Sequence, residues 1–470
     1  MWVKNRVVFR GLMIACTLVA ACGGSPHDTT MEVSDGGGVD AVAANPQIAF
    51  FSRPTPTDEW TPTTLSFWGD QVAVRLSGLG SSSQVTVTAK SASYQSSADF
   101  KVKADGSVDL SADAPVNGGY SGVDPDGLFW SMTSDDPTTT EAYPIVVSVS
   151  SSGETLVSAT LNRYWTPPKV FPIPVTDNGL NGVFVTPASS GPHPALILFG
   201  GSEGGLSSGA LDAEYYASLG YSCLGLAYFG ASGLPNTLAK IPLEYFKTAI
   251  DWLKARPEVD PAQIGVMGGS RGGELALLLG ATYPDIKAVI ATVPSGVVWA
   301  SLSGTQAAWT LGGVDIPYVP LAADANPSFS TDADGNQVEV DAPIYLTSIK
   351  EASASALMTA TIQVEKTNGP ILMLAGQDDQ LWASCTLAQI AMDRLTMSGH
   401  ASTHADDFQC YAATGHNVYF PGIPSMDASE YQDTFGNLFW LGGTAAGIAH
   451  AARDSDARIR KFLRASLGAN

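Results

Sequence analysis

The chain has 470 residues, enough for two or three domains with a core each. It carries 24 basic against 45 acidic residues, a formal charge of −21, with 45% apolar residues. An acidic globular body of this kind repels nucleic acid and anionic membrane surfaces, and so excludes both as partners.

The first 21 residues read as a targeting segment. Lys4, Arg6 and Arg10 precede a short apolar run, Leu12 to Ala21, that is too short to span a membrane as a mature helix. It ends Leu18-Val19-Ala20-Ala21-Cys22-Gly23, which resembles a bacterial lipoprotein lipobox. That resemblance implies cleavage before Cys22 and lipidation of its sulfur; an ordinary A-x-A signal is the alternative. Removal leaves 21 basic against 45 acidic residues, a charge of −24. With no later run of 18 apolar residues, the expectation is an extracytoplasmic protein held in the cell envelope by its lipid alone. Residues 22–46, rich in Gly, Asp and Ala, read as a flexible tether.

Residues 47–165 carry a β pattern. Val72-x-Val74-x-Leu76 and Val85-x-Val87-x-Ala89 alternate, as do Val102 and Val108 around the Asp105-Gly106 turn. Ile145–Val149 and Leu156–Leu161 flank a Ser-Gly turn. Short strands at this spacing predict an immunoglobulin-like β-sandwich, read as a binding or packing module. Residues 166–178 read as a linker, stiffened by four prolines between Pro167 and Pro174.

From 179 to 470 strands and helices alternate. Strands are predicted at Val183–Val185, Ala195–Phe199, Tyr221–Ala227, Ile264–Met267, Ala288–Val293, Ile371–Ala375 and Phe408–Ala412. Helices fall at Leu211–Leu219, Leu243–Ala255 and Asp454–Leu467. Repeated βα units predict a doubly wound, mainly parallel sheet, the α/β-hydrolase class. The weakly periodic span from Ala300 to Asn368 reads as a cap or excursion near the site.

Within this region Gly268-Gly269-Ser270-Arg271-Gly272 follows the apolar run Ile264–Met267 and precedes Glu274-Leu-Ala-Leu-Leu-Leu-Gly280 at helical spacing. Strand, G-x-S-x-G and helix together describe a nucleophile elbow, with Ser270 presented at a helix N-terminus where negative charge is favoured. A serine hydroxyl needs an imidazole to take its proton, and the imidazole needs an acid to orient it. Asp378 and Asp379 follow the strand Ile371–Ala375, and Asp379 suits the acid position better, with a surface turn as the plain reading of both. Of six histidines, His27 lies in the tether, His193 precedes a core strand, His400 and His404 fall in a polar loop, and His450 lies in a terminal helical stretch. His416 alone directly follows a strand and is the candidate base. The backbone N–H of Arg271 and one from Gly201 or Ser202, in the loop after Phe199, are candidates for the oxyanion hole. No His/Cys cluster has metal-ligand spacing, and neither metal nor cofactor is expected. Tyr228, Phe229 and Trp382, near strand ends, read either as an apolar acyl pocket or as core. Cys223 reads as a buried thiol. In an oxidising compartment Cys385 and Cys410 can pair and brace the loops carrying acid and base, or remain thiols.

These stretches resemble a known family, the acyl-CoA thioesterases and bile acid-CoA:amino acid N-acyltransferases. The resemblance rests on Ala112-Asp-Ala-Pro115, Gly119-Tyr-Ser-Gly-Val-Asp-Pro125 and Gly127-Leu-Phe-Trp-Ser-Met132 in the first half. In the second it rests on Phe199-Gly-Gly-Ser-Glu-Gly-Gly205, Leu226-Ala-Tyr-Phe229, Ile241-Pro-Leu-Glu-Tyr-Phe246, the elbow, Gly376-Gln-Asp-Asp-Gln380 and Leu441-Gly-Gly-Thr444. It implies a thioesterase-type sandwich before an α/β-hydrolase, with Ser270, Asp379 and His416 at the triad positions and an acyl thioester or ester as the small-molecule partner. Relatives that transfer acyl groups to amino acids use cysteine as nucleophile, so the serine here points to hydrolysis. Relatives acting on acyl-CoA are typically intracellular, whereas the lipobox-like start of this chain predicts export. Rival readings are a carboxylesterase of the dienelactone-hydrolase type, an N-acyltransferase, and a non-catalytic surface lipoprotein binding through its sandwich.

Overall fold

The computed structural model describes residues 45–80, 82–92, 94–134, 144–164, 171–332, 335–418, 430–432 and 437–468. The readings of the signal segment, of Cys22 and of nearly all the tether lie outside these residues.

Two sheets build the first half. One runs Thr61–Thr63, Gln47–Arg53, Gln71–Ser77, Val108–Asp109; the other runs Leu65–Phe67, Glu154–Tyr164, Ile145–Ser151, Gln84–Lys90, Tyr94–Lys101, Asn117–Gly118, with Thr133–Ser134 also pairing Tyr94–Lys101. The period-2 pattern decides which side chains face inward. Register pairs Val85 with Phe100 and Val87 with Ala98, and these residues join Val72, Val74, Leu76, Val147 and Val149 in one core shared by both sheets. Burying each such Val or Phe contributes roughly 1.5–3 kcal/mol. The Ser-Gly hairpin closes with positive φ at both central residues, Ser152 at 52° and Gly153 at 85°, as a two-residue turn matched to strand twist requires. The strand Gln47–Arg53 lies inside the β region read from sequence but has no alternating stretch of its own, because QIAFFSR lacks clean alternation.

The second half is organised by one sheet of eight strands: β1 (Ile173–Val175), β2 (Asn181–Val185), β3 (His193–Phe199), β4 (Ser222–Ala227), β5 (Val259–Gly269), β6 (Ile286–Thr292), β7 (Ile371–Gly376) and β8 (Asp407–Tyr411). Their order is β1-β2-β4-β3-β5-β6-β7-β8. β2 runs antiparallel to β1 and β4, and every later pairing is parallel. This is the doubly wound order of an α/β-hydrolase sheet. Residues 166–178 are therefore not all linker: β1 lies among them and forms the sheet edge.

Alternate residues of the sheet divide between two faces. Ala195, Ile197, Val266, Val289 and Met373 pack under the helices Glu244–Lys254, Arg271–Thr282 and Ser384–Ser398. Leu196, Leu198, Met267, Ile290 and Leu372 pack under Ser207–Ser218 and the closing helix. That closing helix runs Ala445–Leu467, nine residues earlier than its sequence pattern begins, because Thr444 caps it by accepting from Gly447 N–H. Its first turns bury Ile448, Ala449 and Ala452 in the core of the first half, and its last turns bury Ile459, Leu463 and Leu467 against the eight-stranded sheet. One helix thus joins the two cores.

The join is also polar. Asp124, in the first half, accepts from Trp130 Nε1 (2.8 Å), His450 Nε2 (2.9 Å) and Arg453 Nη2 (3.1 Å). Burial works against its charge, but the bonds from His450 and Trp130 and the Arg453 charge prevail and hold its pKa down at about 2.

The excursion carries its own structure: strands Trp309–Leu311 and Val314–Asp315, which form a small sheet with Ile241–Pro242 from before the elbow, the hairpin Ser328–Thr331 with Gln337–Val340, and helices Ala342–Glu351 and Ala354–Ala360.

Candidate active site

β5 delivers Ser270 through the turn expected of it. Ser270 has φ 58°, ψ −123°, a strained conformation for a residue with a Cβ, and its N–H is fixed by the Thr292 carbonyl at 2.9 Å. The flanking glycines make that turn possible. A Cβ on Gly268 would lie 2.5 Å from the Gly272 carbonyl oxygen and the Phe199 ring, and one on Gly272 would lie 2.4 Å from the Gly200 oxygen. The helix Arg271–Thr282 starts immediately afterwards, so Ser270 is its N-cap residue and remains partly exposed.

The two aspartates after β7 separate cleanly. Asp378 is exposed, whereas Asp379 is 3% exposed and meets His416 Nδ1 at 2.8 Å through Oδ2. Asp379 Oδ1 also accepts from the N–H groups of Leu381 (2.9 Å) and Trp382 (3.2 Å), and Oδ2 from that of Ser384 (3.3 Å). Burial raises the cost of its charge, but the neighbouring His416 and these donors outweigh burial and hold the carboxyl below its usual pKa. An ionised acid fixed by three backbone donors can orient the imidazole that it touches.

His416 follows β8 as expected, and the two loops are laced together. Asp378 N–H donates to the Thr414 carbonyl (2.9 Å), Gln377 N–H to that of Tyr411 (2.9 Å), and His416 N–H to that of Leu441 (2.8 Å). A disulfide joins Cys385, at the start of the helix after the acid loop, to Cys410 on β8, with Cα atoms 5.7 Å apart. Cys223 is a buried free thiol, its pKa pushed well up by burial.

Other sequence candidates fall elsewhere. His400 follows a helix as expected, but it is buried: it is 7% exposed, with Nδ1 2.7 Å from Asp406 Oδ2 and Nε2 3.0 Å from the Thr367 carbonyl. His404 stacks on it at 4.2 Å, and His450 binds Asp124 at the domain join. Tyr228, Phe229 and Trp382 are 3%, 3% and 2% exposed and belong to the cores, so they leave no open acyl pocket between them. Trp382 nonetheless stands edge-on to His416, ring centres 6.2 Å apart.

The loop after β3 lies against the elbow, since a Cβ on Gly201 would stand 3.0 Å from that of Ser270. Gly201 N–H is already given to Glu203 Oε2 at 2.9 Å, which leaves Ser202 as the freer of the two oxyanion candidates from that loop. Arg271 supplies its backbone at the first helical turn, while its side chain turns inward to the carbonyls of Ala300 (2.8 Å) and Trp299 (3.2 Å) and pairs with Glu274 at 3.2 Å. Fully buried, Glu274 also accepts from Trp309 Nε1 at 2.6 Å. Burial drives its pKa up, against the pull of Arg271 and Trp309, to about 7. This pair, tying the elbow helix to the excursion, was invisible in sequence: Glu274 lies three residues after Arg271, but Trp299 and Trp309 carry no signal of contact. Among the described residues no group of three or more His, Cys, Asp and Glu side chains is placed to hold a metal ion.

Sheet order and elbow define the second half as an α/β-hydrolase. The family is narrower still. The family described as acyl-CoA thioester hydrolase/BAAT N-terminal region matches residues 69–177, and that described as BAAT/acyl-CoA thioester hydrolase C terminal matches residues 241–469. The chain belongs to the acyl-CoA thioester hydrolase/BAAT family. It is 28% identical over 440 residues to the mitochondrial acyl-coenzyme A thioesterase 2 of Rattus norvegicus, covering 89% of this chain and 91% of that one. It is 29% identical over 422 residues to human acyl-coenzyme A thioesterase 1, covering 85% and 94%. The mouse peroxisomal succinyl-coenzyme A thioesterase is 26% identical over 429 residues, covering 87% and 96%. Among solved structures, a puromycin-hydrolyzing peptidase of Mycobacterium tuberculosis overlays with a TM-score of 0.40 at 14% identity, covering 89% of this chain and 70% of that one. The dipeptidyl peptidase 4 of Porphyromonas gingivalis gives 0.39 at 17%, covering 80% and 48%. The fold is defined by this chain's own strand order rather than by these overlays.

Proposed function

We propose that this protein is a serine hydrolase of acyl thioesters, working through Ser270, His416 and Asp379 and an acyl-enzyme. The observation that carries the reading is the buried 2.8 Å Asp379–His416 bond at the carboxyl ends of β7 and β8, on a sheet whose β5 ends in the strained Ser270 elbow. Ser270 Oγ attacks the acyl carbon and its proton passes to His416 Nε2. The C–S bond breaks as His416 returns that proton to the departing sulfur. Water then attacks the ester on Ser270, His416 takes its proton and hands it to Oγ, and a carboxylic acid leaves. The oxyanion of each tetrahedral intermediate is received by the Arg271 N–H and by one from the β3 loop. The names of the relatives support an acyl-CoA thioester as substrate class.

A second reading has its own support. The lipobox-like Leu18–Cys22 and the Cys385–Cys410 disulfide favour an exported protein anchored through Cys22, with residues 47–165 as an immunoglobulin-like module ahead of the hydrolase. Outside the cytoplasm an oxygen ester is an equally accessible substrate for the same triad.

Purified protein lacking residues 1–46 should take a fluorophosphonate label that Ser270→Ala abolishes. It should also give a burst of thiol from an acyl thioester, then steady carboxylate release. No label on wild type would favour the non-catalytic binder. N-acyl amino acid as the main product when glycine or taurine is supplied would favour the transferase. A kcat/KM for oxygen esters far above that for matched thioesters would favour the carboxylesterase.

A further inference from the structure

The second oxyanion donor needs a fixed direction, and the sequence assigns no residue to fix it. In a trans peptide the C=O and the following N–H point to opposite sides. Tyr228 Oη lies 2.9 Å from the Gly200 carbonyl oxygen and 3.2 Å from that of Gly201. Two successive carbonyls therefore face one hydroxyl, and the N–H groups of Gly201 and Ser202 face away from it. Successive N–H groups on one side form a nest suited to an anion. One of the pair already holds an anion, the Glu203 carboxylate on Gly201 N–H at 2.9 Å. The loop also lies against the nucleophile, since a Cβ on Gly201 would stand 3.0 Å from the Ser270 Cβ.

Tyr228 is itself held rigidly. Its ring packs against Phe199 (6.0 Å between centres), Phe246 (5.7 Å) and Trp309 (5.8 Å). Trp309 is fixed in turn by Glu274. We infer that Tyr228 is a positioning residue for the reaction: its hydroxyl holds the Gly200 and Gly201 carbonyls inward, so that Ser202 N–H stands as the second donor to the oxyanion on the Ser270 adduct. This inference rests on the hydrolase reading above. Burial keeps the phenol neutral by raising its pKa well above the usual value, so it remains a donor throughout the working range.

Tyr228→Phe removes only the hydroxyl and keeps the packed ring. A lost oxyanion donor costs on the order of 10²–10³ in rate, so a donor misdirected but present should cost roughly 10–100-fold in kcat, with KM within about twofold. A trifluoromethyl ketone analogue, which forms a tetrahedral adduct on Ser270, should weaken by the same factor as kcat/KM. A non-hydrolysable thioether analogue, which forms none, should bind unchanged. Unchanged kcat and ketone affinity would overturn the inference, as would equal weakening of both analogues, the mark of a merely structural role. If Tyr228→Phe fails to fold by circular dichroism, Ser202→Pro on the exposed loop deletes the proposed N–H directly and should lower kcat on the order of 10²-fold. Unchanged kcat in that variant overturns the inference. The two levels separate: full activity in Ser270→Ala sinks the hydrolase reading and the inference with it. An inactive Ser270→Ala beside an unaffected Tyr228→Phe sinks the inference alone.

Discussion

Strand β7 has a buried aspartate–histidine pair at each end, and the two pairs do different things. At its amino end Asp406 accepts from Ile371 N–H at 2.9 Å and meets His400 Nδ1 at 2.7 Å, while His400 Nε2 stands 3.0 Å from the Thr367 carbonyl. At its carboxyl end Asp379 meets His416 Nδ1 at 2.8 Å, and His416 Nε2 has no hydrogen-bond partner among the described residues. Burial and bond length are nearly the same. What differs is the second ring nitrogen. Closed by a carbonyl, the imidazole ties the start of a strand to the turn after a helix. Left open, it can exchange a proton. The open pair lies where parallel sheets build their sites, at the carboxyl ends of strands, and the closed pair at the opposite edge.

The largest expected effect tests that division directly. Ser270→Ala and His416→Ala should each lower kcat on acyl thioesters by about 10⁴-fold or more, and their double mutant should be hardly worse, because such residues act as a unit. Asp379→Asn should cost roughly 10⁴-fold through the wrong imidazole tautomer, while Asp378→Asn on the exposed neighbour stays within a few-fold. His400→Ala, once shown by circular dichroism to be folded, should keep kcat within a few-fold of wild type. A folded His400→Ala as inactive as His416→Ala would erase the distinction.

Stability should rank the two pairs the other way. Removing one partner of a buried pair leaves an uncompensated charge and costs about 3–5 kcal/mol. His400→Ala should therefore lower the unfolding free energy in urea by that amount, since both of its ring nitrogens are engaged and its side chain is 5% exposed. His416→Ala, with one nitrogen engaged and 10% exposure, should lower it less. Equal losses would mean that the open pair is also a structural clamp.

How much of this was legible in the sequence follows from the range of the forces involved. The elbow, β7 with its acid and β8 with its histidine are local patterns: an apolar run, then a turn, then the reactive residue. They could be read because strand periodicity and turn chemistry act over a few residues. The His400–Asp406 pair could not, since a polar stretch of the sequence His400-Ala-Ser-Thr-His-Ala-Asp406 gives no sign that tertiary packing buries both of its ends. Tyr228 shows the same limit. An aromatic at a strand end reads as pocket or core, and only its two carbonyl partners reveal its direction. The Arg271–Glu274 pair and its tie to Trp309 likewise depend on where the excursion folds back.

The Cys385–Cys410 disulfide sits at the carboxyl end of β7, joining β8, where Cys410 pairs with Ala375, to the helix that follows the acid loop. Cys385→Ser with Cys410→Ser should lower the unfolding free energy by about 3 kcal/mol, in keeping with the modest loop that the bond closes. If the brace matters mainly to the open pair, kcat should fall more in this variant than KM rises. A stability loss with unchanged kinetics would assign the bond to the fold alone.

The smallest effect is in the pH dependence of stability, and its sign is fixed by Asp379. The folded state holds this carboxyl below its ordinary value, about 3.9 for an unperturbed aspartate, so the unfolded chain binds its proton more readily than the folded one. Stability from the Asp379 charge is then fully present above about pH 4 and drains away as pH falls through the lowered folded value. Asp379→Asn has no such proton to bind. Urea unfolding of wild type and Asp379→Asn should therefore show the widest gap near neutral pH and a narrowing gap below pH 4, as the wild-type carboxyl is neutralised beside His416. A gap that stays constant into acid would mean that the carboxylate is not held by His416 and its three backbone donors. A gap that widens in acid would require the opposite shift, and would make Asp379 a protonated partner unfit to orient a base.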